Sequence, residues 1–478
     1  MSVPHGGHEM RKASSRQVST VVVLMIVVLV ATTLSGCQST DLPVSVGSHT
    51  VNDTFVDVNG LKQAPSKVTL SYPTQKAGYN GLQYANVPSS LDGILYAMSQ
   101  EAEDNYEVRT TAWDQMTGKK IWSIVGYGVD DQWSAYDADS IYTGDVCLDR
   151  ATGSVKWRSV FPDSKTVFRN MCSVILPDTS KSNPIANRLY AVEAAGQNIE
   201  NTDQYGRQIR VPNVEDYSGI YMWDTSNGKL IDYIKYPTLS AHLPLASLLY
   251  DDGTIYADLC VSTPQDKSIV TPADGSDAVY TDVVAIDTKT LEVTPIGSLV
   301  GSPEKLIEQD DRLILLVSSG NANTELKKSI VVLPLDAQQD HNLQQSKLVS
   351  TAFSDGTYWY SIAVDSNRVY AANDTGTLVA LRLPSLTVVW KQQFAKDDGT
   401  KQYYFPSPRL VATRDVLYAY ATGGLVFGTD PATGKELWTT NITKVVTPLT
   451  NPDNLWLFRA IDNGFLVVMS DEVASICQ

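Results

Sequence analysis

Cysteine and histidine are scarce, five of each in 478 residues. His5 and His8 precede an apolar leader, and His49, His242 and His341 lie far apart with no metal-ligand spacing. No metal or cofactor site is therefore expected from these residues. No Gly-x-Ser-x-Gly elbow appears, which removes the best-marked sequence sign of a serine hydrolase. No basic stripe appears either. The formal net charge is −16, a field that repels phosphate backbones and excludes a nucleic-acid partner. No stretch sustains a 3.6-residue apolar period, so helices should be short and few. The apolar run Val21–Ala31 is shorter than the roughly 20 residues a bilayer span requires.

What is present begins with an address. Arg11, Lys12 and Arg16 precede Val21–Ala31, the basic and apolar regions of a secretory signal. Leu34-Ser-Gly-Cys37 follows. It resembles the lipobox of bacterial lipoproteins. That resemblance implies diacylation of the Cys37 thiol and cleavage of the peptide bond before it. Residues 1–36 then read as signal peptide and 37–50 as a tether rich in Ser, Thr, Val and Pro. Two acyl chains hold a protein stably where one is marginal. The implied partners are the lipid membrane, through Cys37, and proteins of the cell envelope outside the cytoplasm. Placement in an inner or an outer membrane stays open.

The remainder, 51–478, repeats one phrase. Asp430-Pro-Ala-Thr-Gly434-Lys-Glu-Leu-Trp438 has the spacing of Asp114…Gly118…Trp122 and Asp149…Gly153…Trp157. A blunter copy, Asp224-Thr-Ser-Asn-Gly228, lacks the Trp. Each copy follows a short apolar run, which predicts a β-hairpin. The Asp carboxylate accepts turn amides, the Gly supplies positive φ, and the returning strand carries a large ring that needs another sheet to pack on. An isolated hairpin cannot bury that face, so copies must stack. Trp390 ends a further unit. The Trp residues at 122, 157, 390 and 438 read as inter-blade packing.

Frames opening with a turn and then Ile/Val/Leu-Tyr recur at 91–96, 139–142, 187–190, 252–256, 366–370 and 414–418. Weaker openings stand at 311–315 and 463–467. The abundance of Tyr, 24 residues, and the recurrent turns favour strands. The expectation is an all-β single domain: a β-propeller of seven or eight four-stranded blades, eight preferred. The eighth unit is truncated, so the N-terminal stretch, including Lys67-Val-Thr-Leu-Ser-Tyr72, should close the last blade.

The repeat resembles the pyrroloquinoline-quinone-type propeller repeat over roughly residues 90–478. That family includes eight-bladed quinoprotein alcohol dehydrogenases and lipoproteins such as the propeller subunit of the outer-membrane β-barrel assembly machine. A lipobox with this propeller resembles the second, non-enzymatic group in layout. The vicinal Cys-Cys pair of the dehydrogenases is missing here. Trp113-Asp114 and Trp223-Asp224 are similar to the dipeptide of WD40 repeats, without its Gly-His partner. The expected function is a membrane-anchored scaffold or protein-binding module. A quinone-dependent dehydrogenase and a glycan-binding propeller are the alternatives. Fold does not decide among them.

Candidate partner contacts are aromatic residues in expected loops: Trp133, Trp359, Tyr403 and Tyr404. Cys147 and Cys172 are a candidate inter-blade disulfide, with buried free thiols the alternative. The acidic pairs Asp130-Asp131, Asp251-Asp252, Asp310-Asp311 and Asp397-Asp398 read as solvated turn carboxylates.

Overall fold

The computed structural model describes residues 55–73, 89–91, 93–100, 108–114, 117–129, 134–143, 146–159, 166–175, 188–197, 219–236, 246–251, 253–261, 263–264, 279–319, 327–334, 359–373, 376–394, 409–446, 455–461, 463–469 and 472–477. These form eight sheets in sequence order, here blades 1 to 8. Their strands span 89–125, 135–158, 166–235, 246–300, 302–334, 359–393, 409–441 and 455–477. Within each blade consecutive strands pair antiparallel. The first strands of blades 2 and 3, 3 and 4, 4 and 5, 6 and 7, and 7 and 8 touch one another, which sets them around a common axis. This is the expected β-propeller.

Burial explains why the middle strands lose alternation and the outer strands keep it. In blade 4 the third strand, Tyr280–Asp287, is buried at every position except its last. A strand sandwiched between two other sheets has two apolar faces. The fourth strand, Val293–Val300, is mostly half-exposed or exposed over its first half, because the blades splay apart at the perimeter. The core is accordingly a series of inter-blade clusters. One joins Tyr190 and Ile220 of blade 3 to Ile255 and Val284 of blade 4. Another joins Ile314 and Val332 of blade 5 to Val369 and Leu381 of blade 6.

The last blade is built from both ends of the chain. Its own three strands, Leu455–Ile461, Gly464–Met469 and Glu472–Cys477, are completed by Lys67–Pro73. The register runs from Lys67 opposite Cys477 to Pro73 opposite Glu472. The N-terminal strand thus closes the fold, as the truncated eighth unit requires. A two-residue strand, Phe55–Val56, adds in parallel to the first strand of blade 7.

Antiparallel pairing also sorts the connections. Turns from first to second and from third to fourth strands open on one end of the propeller, and several of these span only a few residues. Connections from second to third strands and from blade to blade open on the other.

Candidate functional site

The Asp turns share one backbone. Asp114 Oδ1 accepts the Thr117 amide (2.7 Å) and hydroxyl (2.8 Å), and Asp149 Oδ1 does the same with Thr152. Asp224 is held by Ser226, Asp287 by Lys289 and Thr290 and Asp430 by Ala432 and Thr433. Four residues after the Asp, an amide donates back to the Asp carbonyl: Gly118, Gly153, Gly228 and Gly434, at 2.8–2.9 Å. These glycines hold φ between 66 and 74°. Hydrogen bonds from Thr152 hold the Asp149 carboxyl below the usual carboxylate range. Hydrogen bonds from the Thr290 and Lys289 amides do so for Asp287.

Each Trp reaches forward into the next blade. The Trp122 indole N–H donates to the Arg150 carbonyl (2.8 Å), Trp157 to Thr225 (2.8 Å) and Trp390 to Pro431 (3.1 Å). The acceptor is always the residue after the turn Asp. The ring then lies on the turn glycine. A Cβ on Gly153 would come 2.6 Å from Trp122, on Gly228 2.3 Å from Trp157, and on Gly434 2.6 Å from Trp390. The Gly of one copy is therefore matched to the Trp of the preceding copy. That explains the blunt copy at Asp224: it lacks its own Trp but keeps Gly228 because Trp157 lies on it.

Tyr residues of the second strands add to the same junctions. Tyr190 donates to the Thr288 carbonyl (2.8 Å), and the Tyr370 hydroxyl lies 3.3 Å from the Pro431 carbonyl. Each Trp also pairs with the Tyr of its own blade: Tyr96–Trp122, Tyr142–Trp157, Tyr370–Trp390 and Tyr418–Trp438, at centroid distances of 5.8–6.0 Å. Burial first, and then the carboxylate of Asp365, raises the Tyr370 phenol above its ordinary value. A donor locked onto Asp365 Oδ2 (2.5 Å) resists ionisation.

Among the described residues, no turn of blade 8 receives Trp438. Residues 57–62 take that place as a strap across the junction of blades 7 and 8. Trp438 donates to the Leu61 carbonyl (2.5 Å), and the Leu61 amide donates to the Tyr418 hydroxyl (2.6 Å). The Gly60 amide meets Asp415 Oδ1 (2.7 Å), and Lys62 pairs with Asp415 Oδ2 (2.8 Å). The Asn59 carbonyl accepts from the Asn463 amide (2.9 Å). Asp57 pairs with Arg414. Gly60 lies so close to blade 7 that a Cβ would stand 2.4 Å from Val416. Val58 and Leu61 are buried with Trp438, Phe458 and Phe465.

Several expected residues fall elsewhere. The Cys147–Cys172 bridge is not formed. Cys147 is a free thiol, buried at the junction of blades 2 and 3 with Tyr142, Leu189, Tyr221 and Trp223. Its Sγ faces the Leu148 carbonyl (3.9 Å). Burial pushes this thiol up to about 11, so it is a packing residue and no nucleophile at neutral pH. Cys260 is likewise buried and outside any disulfide. Trp359 opens the first strand of blade 6, Trp359–Val364, and does not sit in a loop. Asp310 and Asp311 occupy a tight turn, both at positive φ. Cys37, Trp133, Tyr403 and Tyr404 lie outside the described residues, as do residues 1–54 with their signal and tether.

Two buried polar centres carried no sequence signal. Asp282, in the third strand of blade 4, accepts from Ser298 (2.5 Å) and Tyr236 (3.1 Å). Arg150, 6% exposed, donates to Tyr96 and to the Asp137 carbonyl. Both meet neighbours that are distant in sequence, which local pattern does not reveal. Among the described residues no group of three or more His, Cys, Asp or Glu side chains is placed to hold a metal ion.

No protein-family model matches the chain, and no curated protein matches it. Solved structures of similar shape do. The computationally designed Ika8 protein is 12% identical, with 88% of this chain and 99% of that one covered, at a TM-score of 0.46. BamB from Moraxella catarrhalis is 14% identical, covering 86% and 100%, at 0.43. The quinohemoprotein alcohol dehydrogenase from Comamonas testosteroni is 13% identical, covering 88% and 78%, at 0.46.

Proposed function

We propose that this chain is a membrane-anchored, extracytoplasmic propeller that binds envelope proteins as a scaffold. The observation that carries the reading is where the strand ends point. Strand ends flanking the segment with Trp133, the segment with Tyr403 and Tyr404, and residues 198–218 open on one end of the propeller, and Trp359 heads its strand at that same end. Connections held up by a rigid framework are where binding residues concentrate. The repeat residues Asp, Gly and Trp, by contrast, are occupied in holding blade to blade. The lipobox at Cys37 supports attachment to the membrane through two acyl chains.

The test is a crosslinking pull-down from intact cells. The native chain is expected to capture a defined protein, and the combined change of Trp133, Trp359, Tyr403 and Tyr404 to Ala to lose it while the melting temperature holds. In parallel, Cys37→Ala should release the chain from the membrane fraction and remove the diacylglycerol mass. Turnover of an alcohol with a redox dye after adding quinone and calcium, with no protein captured, would replace this reading with a dehydrogenase.

A further inference from the structure

We propose that residues 55–73 form a detachable clasp, so that blade 8 opens ahead of the other blades and frees the N-terminal segment with it. This rests on the strap geometry alone and stands whether or not Cys37 is acylated.

Three observations carry it. First, the clasp is held by contacts between residues very far apart in the chain. Gly60 to Asp415 spans 355 positions, Leu61 to Tyr418 spans 357 and Trp438 to Leu61 spans 377. Such contacts close the longest loops and form last. Elsewhere the turn that receives a Trp is continuous with its own blade, as Gly153 is with the strands on either side. Second, the strap joins no ladder from Asp57 to Ser66. Its hold is a handful of discrete bonds and three buried side chains, Val58, Leu61 and Pro65. Third, its ion pairs face solvent. Lys62 is 69% exposed, Asp57 69% and Arg414 53%, with Asp415 at 25% the one sheltered member, a setting in which water and salt screen most of the attraction.

Detachment has a compound effect. It removes the acceptor of the Trp438 indole, the donor to the Tyr418 hydroxyl and the fourth strand of blade 8 in one step. It leaves the edge of Glu472–Cys477 unpaired. The chain enters through Phe55–Val56, whose two-residue parallel pairing with blade 7 must part together with the strap, so a load on the N-terminus meets that short ladder and then the strap.

Hydrogen exchange on the full chain tests this. Amides of 67–73 and 472–477 should exchange about tenfold faster than those of 280–287 in blade 4. Asp415→Ala removes the Gly60 acceptor and the Lys62 partner without touching the core. It should speed exchange in 67–73 and 472–477 about fivefold and leave 280–287 unchanged. Lys67→Cys stands opposite Cys477 in the register. Its disulfide, formed under mild oxidation, should slow exchange in both segments and cancel the Asp415→Ala effect. Equal exchange in blades 4 and 8, or equal acceleration of both by Asp415→Ala, would overturn the clasp.

Discussion

Junctions 1/2, 2/3 and 6/7 differ from junctions 3/4 and 5/6 in one exchange of side chains. In the first set a Trp projects forward and lies on a turn glycine. In the second set the preceding blade brings no Trp. Position 232, where blade 3 would carry it, is an exposed Asp. The stretch after blade 5 has no Trp before Trp359. In these two junctions the turn glycine is replaced by Leu291 and Leu386, which hold φ at 58 and 51° and make the same amide bonds to Asp287 and Arg382. Both leucines are buried against the preceding blade, Leu291 with Tyr190 and Met222 and Leu386 with Ile314 and Val332. The space is filled either by a ring from behind or by a leucine from ahead. Left-handed backbone costs a leucine about 1–2 kcal/mol, and burying its side chain returns about 1.5–3 kcal/mol. The exchange therefore closes near balance, which is why one turn geometry serves both kinds of junction.

The largest expected effect is at the strapped junction of blades 7 and 8. Trp438→Ala should cost about 3–5 kcal/mol in denaturant unfolding, since it opens a cavity beside Phe465 and leaves the Leu61 carbonyl without its donor. Partner capture by folded protein should not change. Gly228→Ala should cost about 2–3 kcal/mol, combining a Cβ driven into Trp157 with positive φ. Leu291→Gly should cost only about 1–2 kcal/mol, because the lost burial is partly offset by relief of the backbone. If Leu291→Gly proves as costly as Gly228→Ala, the two kinds of junction are not alternatives.

The smallest effect is electrostatic. The folded carboxyls of Asp149 and Asp287 titrate below their unfolded values. Their stabilisation is complete above about pH 5 and fades as pH falls through the unfolded and then the lowered folded value. The turns are solvent-facing, so each contributes under about 1 kcal/mol. Asp149→Asn should lower the melting temperature slightly at pH 7, and the difference from the native chain should shrink as pH falls through the lowered folded value.

Much of the fold was legible because its signals are local. The Asp-x-x-Thr-Gly turn is written within five residues, and the Ile/Val/Leu-Tyr openings mark second strands at Tyr96, Tyr190, Tyr370 and Tyr418. The missing turn after Cys477 pointed to Lys67–Tyr72 as the closing strand. The pairing of Trp with Gly was not legible in the same way, because its partners belong to different copies. Trp157 and Gly228 are separated by a variable insertion, and a frame drawn from Asp to Trp assigns each glycine to the wrong ring. The sign was there in the blunt copy, where a Gly persisted without a Trp, and in the Leu at 291 that follows a Trp-less blade. Cys147 misled for the same reason: adjacency of strands in sequence order does not disclose that its thiol packs among Tyr142, Leu189, Tyr221 and Trp223.

A double-mutant cycle on Trp122 and Gly153 tests the central claim, because the three atoms nearest a Cβ on Gly153 all belong to Trp122. Trp122→Ala and Gly153→Leu should each destabilise the chain. Together they recreate the leucine-filled junction and should cost less than the sum of the singles, by about 1–3 kcal/mol. Strict additivity would contradict the account, since it would mean that ring and glycine are held independently.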